Sequence, residues 1–216
     1  PLAGILAGSQ LRVGSGVAVD PRVFLDELEA FKEYGVAARA RVDSRCPVIL
    51  PEYGREERAD PHLSRTVGST CSGTGVAQAQ FCLRKAKQAK DLPELAPFLC
   101  DTAREINEAC QRGELVLVEG SQGTLLSLTL SRDYPFCTSG NCTAVACADD
   151  VGLSWRHIRE VVLVVKAVPS RVGEGSCPES CPWRNKTPAG SRSSGSSPAD
   201  GGEKRPPSPW NSSKSR

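Results

Sequence analysis

Residues 115–126 read LVLVEGSQGTLL and decide the expected fold. An apolar run long enough for a buried strand, over residues 114–119, stops at Gly120, and a glycine-flanked turn follows it. This turn brings the side-chain amide of Gln122 to the end of the strand. Ligands bind at the carboxyl ends of strands in open α/β sheets, and an amide that donates and accepts suits the edge of a heterocyclic base. The alternative is an ordinary strand with a polar turn.

Helices and further apolar runs surround this segment. Asp20 is placed to cap a helix that starts at Pro21 and runs to Gly35, and Asp101 is placed to cap another that ends at Gly113. A third helix is expected over residues 76–90. Short strands are expected over residues 16–19, 48–50 and 161–165. The alternation of helices with nearly continuous apolar strands predicts an α/β fold with a central, mostly parallel sheet flanked by helices.

Composition and charge limit the class of protein. The 216 residues are 39% hydrophobic and 24% charged, which is typical of one soluble globular domain with an appendage. Residues 176–216 carry seven Lys or Arg and three Asp or Glu, so this segment has a net charge of +4 and the rest of the chain −2. The main part therefore shows no electrostatic sign of a nucleic-acid partner. No apolar run is long enough to span a membrane, and we expect a cytoplasmic location.

The ten cysteines and two histidines do not form a metal-binding pattern. No CxxC pair occurs, and both histidines are expected at the surface. We therefore predict no metal ligands and interpret the cysteines as structural or incidental thiols. Intracellular disulfides of the kind found in hyperthermophiles remain an alternative.

The segment 66–75, TVGSTCSGTG, is rich in glycine and hydroxyl side chains and leads into the third predicted helix. Main-chain amides, hydroxyl groups and a helix N-terminus together can hold a phosphate group. The segment lacks the GxxxxGK[ST] pattern, so it is not a Walker P-loop. A plain flexible turn is the alternative for this segment.

Two further candidates for phosphate contacts are Arg84 and Thr138. Arg84 could bind a phosphate with its guanidinium fork, or it is a solvated charge on a helix. Thr138 follows the turn YPFC at residues 134–137, where its hydroxyl could bind a second face of a phosphate or cap the next element. No Ser/His/Asp or Cys/His set is visible in the sequence.

Taken together, these motifs resemble adenylosuccinate synthetase, and its short archaeal forms most closely. The matching pieces follow the family order: GSGVAVDP at 14–21, VGST at 67–70 with GTG at 73–75, the stretch 118–126, YPFCTSGNCT at 134–143 and KAVPSRVGEG at 166–175. The resemblance implies a P-loop-like α/β fold without its N-terminal phosphate loop. It also implies an enzyme that uses GTP and Mg²⁺ to join aspartate to IMP.

The resemblance assigns a role to each candidate residue. Thr70 and Thr138 match threonines that bind the IMP phosphate, and Gln122 matches the glutamine near the purine 6-oxygen, where it would stabilise the transition state. Arg84 matches an arginine that reaches the IMP of a neighbouring subunit, which implies a homodimer. Val172 matches a residue whose backbone contacts the ribose.

Several family motifs are missing from the sequence. It contains neither the Gly-Asp-Glu-Gly-Lys loop with the catalytic aspartate nor the Asn-Ala-Gly-His segment with the catalytic histidine, and the aspartate-binding and guanine-binding motifs are absent as well. We therefore expect a core fragment over residues 1–175 that lacks ligase activity alone, followed by a disordered tail over 176–216. A reading-frame slip would account for the abrupt change of composition at the tail. The rival hypotheses are a non-catalytic protein that binds IMP and an interaction protein that acts through the basic tail.

Overall fold

The computed structural model describes residues 2–165 as a parallel sheet covered by helices. Three strands form the sheet in the order β1 (Leu11–Val13), β2 (Ala40–Asp43) and β3 (Leu99–Cys100). Both strand pairs are parallel, and Val42 lies opposite Val13 on one side and Leu99 on the other. The predicted α/β class with a parallel sheet is confirmed.

Seven α-helices accompany the sheet in the described part of the chain. They are α1 (Leu2–Leu6), α2 (Pro21–Ala30), α3 (Val36–Arg39), α4 (Pro51–Ala59), α5 (Thr74–Cys82), α6 (Thr102–Gln111) and α7 (Ala144–Asp150). A π-helical turn spans His62–Val67. Short 3₁₀ turns span Lys32–Tyr34, Ala89–Asp91, Pro93–Phe98, Thr124–Leu126 and Trp155–His157.

Both predicted helix caps are present. The Asp20 carboxylate accepts from the amide of Arg22 at 3.0 Å, and Asp101 accepts from the amide of Arg104 at 3.3 Å. An acceptor at this position satisfies amides that have no partner inside the helix. The α2 helix ends at Ala30, and the 3₁₀ turn that follows it ends at Gly35, whose φ is 63°.

The main core lies beside the central strand. Its buried residues are Val19, Val42, Cys46, Val48, Ala89 and Leu95. Phe24 of α2 packs against this core and meets the ring of Phe98 edge-on, with 5.5 Å between ring centroids. The sheet is thereby joined to α2.

Four predicted strands are wrong in the structure. Residues 16–19 and 48–50 contribute a single parallel bridge, between Val19 and Val48, and the first strand is Leu11–Val13 instead. Residues 114–119 and 161–165 have the apolar composition of buried strands but are not strands. Leu115 is 97% exposed and Leu117 is 83% exposed, and residues 161–165 are all exposed as well. A strand requires a neighbouring backbone to pair with, and no backbone within residues 2–165 pairs with these two runs.

The third predicted helix is shorter than expected. It ends at Cys82, and Arg84 adopts a left-handed φ of 60° that directs the chain away from the helix axis. The following backbone pairs with the segment after β2, through Val48 N to Lys87 O at 2.9 Å and Ala89 N to Cys46 O at 2.9 Å. Non-local pairing therefore overrides the helical pattern of residues 83–90.

No helix within residues 2–165 is long and apolar enough to cross a membrane. Val172, the predicted boundary at residue 175 and the predicted tail over 176–216 lie outside the described residues. The division of the chain at 175 remains a prediction.

Candidate functional site

The hydroxyl-rich loop, defined as residues 68–73, connects the π-helical turn to α5. Glu57 of α4, which is only 2% exposed, binds the end of the loop at Gly73. One carboxylate oxygen of Glu57 accepts from Gly73 N at 2.9 Å, and the other accepts from Gly75 N at 2.9 Å and Val76 N at 3.2 Å. The predicted phosphate cradle is therefore wrong in one respect, because a protein carboxylate already binds these amides at the start of α5.

The hydroxyl groups of this loop and of the first residue of α5 contact one another. Thr70 Oγ1 donates to Ser72 Oγ at 3.3 Å, and Ser72 Oγ lies 3.0 Å from Thr74 Oγ1. Ser69 Oγ accepts from the amide of Cys71 at 3.1 Å, and Cys71 has a left-handed φ of 52°. Thr70 is exposed, so its hydroxyl is available to a ligand.

Gly73 is required at the end of the loop. It has a φ of 87°, and a Cβ there would lie 2.9 Å from Gly54 N and 3.0 Å from Tyr53 Cβ. We expect Gly73→Ala to lower the free energy of unfolding by about 2 kcal/mol, from backbone strain and overpacking together. Urea unfolding followed by circular dichroism measures this loss.

Gly35→Ala is the matched control for this prediction. Gly35 also has a positive φ, of 63°, but has no neighbour within 4 Å of an added Cβ. It should lose about 1 kcal/mol, from strain alone. Equal losses in the two variants would show that the contacts with α4 do not constrain the loop.

Gln122 lies in a turn, and not at the end of a strand as predicted. Its φ is 59°, and its side chain is exposed. Its Oε1 accepts from Ser121 Oγ at 2.8 Å and lies 3.8 Å from the thiol of Cys142. Two neighbours therefore contact the side-chain carbonyl of Gln122.

A second turn, residues 134–142, lies next to the segment that follows Gln122. Thr138 N donates to Leu126 O at 2.9 Å, and Leu128 N donates to Gly140 O at 3.0 Å. The fully buried Ser127 accepts from Cys142 N at 2.9 Å. Sequence reasoning did not single out Ser127, because a serine between leucines carries no signal until its backbone partner is known.

The glycine-rich stretch 14–16 contacts both α5 and α7. Gly16 N donates to Asp150 O at the end of α7 at 2.8 Å, and Gln78 Nε2 of α5 donates to Gly16 O at 3.1 Å. A Cβ at Gly16 would lie 2.3 Å from Asp150 Oδ1, so only glycine fits here. Burial, and then the charge of Asp149, raise the pKa of the Asp150 carboxyl.

An open cleft of about 2970 Å³ is lined by residues from most of the described elements. Thr70, Gln122 and Thr138 all line it, together with Ser69 and Cys142. Its volume exceeds the roughly 300–1,000 Å³ of a site for one small molecule, so the cleft is wider than one ligand site. Arg84 is not among the lining residues and is exposed past the end of α5.

Comparison with known proteins identifies the family. The family model for adenylosuccinate synthetase matches residues 3–96 and 87–187. The chain belongs to the adenylosuccinate synthetase family.

Named archaeal relatives are close in sequence. The adenylosuccinate synthetase of Thermococcus onnurineus is 48% identical over 170 residues, which cover 79% of this chain and 50% of that protein. The Methanocaldococcus jannaschii protein of the same name is 46% identical over 170 residues, with 79% and 49% covered. The chain spans about half the length of the curated relatives it matches.

Two solved structures share the fold of this chain. The chain superposes on adenylosuccinate synthetase from Plasmodium falciparum with a TM-score of 0.74 and 17% identity, covering 81% of this chain and 51% of that one. It superposes on the succinoaminodeoxyadenylate synthetase of cyanophage S-2L with a TM-score of 0.58 and 27% identity, covering 72% and 45%. The predicted resemblance to adenylosuccinate synthetase is confirmed.

The described residues do not fit the metal that the family implies. Within residues 2–165, no group of three or more His, Cys, Asp or Glu side chains is placed to hold a metal ion. The eight cysteines of this part of the chain are all free thiols.

Proposed function

We propose that this chain forms the IMP-binding part of a ligase that uses GTP and Mg²⁺ to join aspartate to IMP. One observation carries the proposal. Thr70, Gln122 and Thr138 come from separate segments and line the same open cleft, and the 170 residues matched to the Thermococcus onnurineus synthetase are 48% identical. The motifs that hold GTP, and the catalytic aspartate and histidine of the family, are not in the printed sequence.

The proposed contacts follow from the chemistry of each side chain. The hydroxyls of Thr70 and Thr138 donate to phosphate oxygens, since hydrogen bonds to a charged acceptor are the stronger kind. The exposed amide nitrogen of Gln122 donates to the purine 6-oxygen, where charge develops when that oxygen is phosphorylated. Val172 contributes its backbone to the ribose contact.

Arg84 is proposed to serve the neighbouring copy in a homodimer. Its side chain is exposed and lies outside the cleft of its own chain, as expected for a residue that completes a partner's site. The free thiols support a reducing compartment, so we propose that the protein works in the cytoplasm.

Calorimetric titration with IMP tests the proposal. We expect the chain to bind IMP, and we expect Thr70→Val to weaken binding about tenfold or more, because it removes a hydrogen bond to a charged group while keeping the side-chain volume. Inosine has no phosphate, so its affinity should be the same in the wild type and in Thr70→Val.

Thr66→Val is the control variant, because Thr66 is exposed and does not line the cleft. It should bind IMP as the wild type does. A wild-type chain that does not bind IMP, or a Thr70→Val chain that binds it unchanged, would contradict the proposed site. Binding with no need for aspartate or GTP is expected, since this part of the cleft contacts IMP alone.

A further inference from the structure

Helix α4 contacts the hydroxyl-rich loop and the start of α5 at several points. Glu57 binds three backbone amides at the junction of the loop and α5. The next residue of α4, Arg58, donates from Nη1 to Cys71 O at 3.1 Å. Gly54 lets the loop approach so closely that a Cβ there would lie 3.0 Å from the same Cys71 oxygen. Thus α4 fixes the loop at both Cys71 and Gly73.

The Glu57 carboxylate is buried and contacts backbone amides. Within residues 2–165, none of the ion pairs involves Glu57. The backbone amides at the start of α5 offset the cost of burying this carboxylate, and the helix dipole there favours a negative charge. An anion bound in the cleft therefore cannot use these three amides, whereas the hydroxyl groups of the loop stay accessible to it.

We infer that Glu57 is a positioning residue for phosphate recognition, an inference that rests on the proposed IMP site. By binding Gly73, Gly75 and Val76, its carboxylate fixes the end of the loop that carries Thr70 and Ser72. Both hydroxyls line the cleft. The loop is thus preorganised before the phosphate arrives, and Glu57 acts by positioning the loop.

Glu57→Gln is the decisive variant. The substitution keeps the size of the side chain but replaces one acceptor oxygen with an NH₂ group, which faces backbone donors and cannot accept from them. We expect the affinity for IMP to fall about tenfold or more, with the affinity for inosine unchanged. Glu56→Gln, the same change at the neighbouring exposed position of α4, should leave both affinities as in the wild type.

The ratio of the two affinities separates positioning from a general loss of structure. A merely structural role of Glu57 would lower the affinities for IMP and inosine by the same factor, and that result would overturn the inference. So would unchanged IMP binding by Glu57→Gln. If Glu57→Gln does not fold, as judged by circular dichroism, Glu57→Asp replaces it, because it keeps the charge and shortens the reach, and the same criterion applies. A wild-type chain that binds no IMP would overturn the proposed function itself, and this inference with it.

Discussion

Asp43→Ala is expected to lower the free energy of unfolding by about 2–3 kcal/mol, the loss for removing a buried acceptor and its charge-assisted hydrogen bonds. The Asp43 carboxylate is fully buried at the end of β2 and binds Arg45 through two side-chain contacts of 2.8 Å, to Nε and Nη2. It also accepts from the amide of Thr102 at 2.8 Å, which joins β2 to the start of α6. Truncation leaves this buried amide without its acceptor. Urea unfolding measures the loss.

The control for Asp43 is the exposed pair between Lys32 and Glu29. Glu29→Ala should change stability by less than about 0.5 kcal/mol. A loss below about 1 kcal/mol for Asp43→Ala would contradict the view that the contacts of Asp43 with Arg45 and Thr102 join the sheet to α6.

The pH dependence gives a second check on Asp43. Burial acts to raise the pKa of this carboxyl, but the hydrogen bonds from Arg45 and Thr102 outweigh burial and lower it below its ordinary value of 3.8. Its stabilisation is therefore complete above the unfolded-state pKa of about 3.9 and is lost as the pH falls through the lower folded-state value. The stability difference between the wild type and Asp43→Ala should shrink over that acidic range.

Leu95→Ala is expected to lower the free energy of unfolding by about 3 kcal/mol, since it removes buried methyl groups and leaves a cavity. Leu95 is fully buried and belongs to the same core as Val42 and Val48. Leu117→Ala makes the same chemical change at a side chain that is 83% exposed, and it should stay within about 0.5 kcal/mol of the wild type. The two variants are compared by urea unfolding, and similar losses would show that the core is not where the structure places it.

Local signals in the sequence predicted local structure well. Asp20 and Asp101 were correct as helix caps because a cap needs only the next few residues of the chain. The apolar run at 114–119 was wrong as a strand because pairing depends on a distant backbone that the run itself does not encode. Leu11–Val13 was missed for the same reason, since three residues between polar neighbours carry little periodicity.

The sequence predicted only part of the candidate site. The motifs singled out Thr70, Gln122 and Thr138, and all three line the large open cleft, which residues from most of the described elements also line. The role of Glu57 was not predictable, because an acidic residue in a charged helix is ordinarily solvated. Only the packing of α4 against the loop turns this glutamate inward. The proposed ligand contacts at these residues remain predictions.

The valine-rich run from 161 to 165 has a practical consequence for handling the protein. Its five aliphatic side chains all face water. Such a hydrocarbon stripe attracts holdase chaperones and promotes aggregation, whatever the stability of the core. We expect this run to lower the concentration at which the chain stays dispersed.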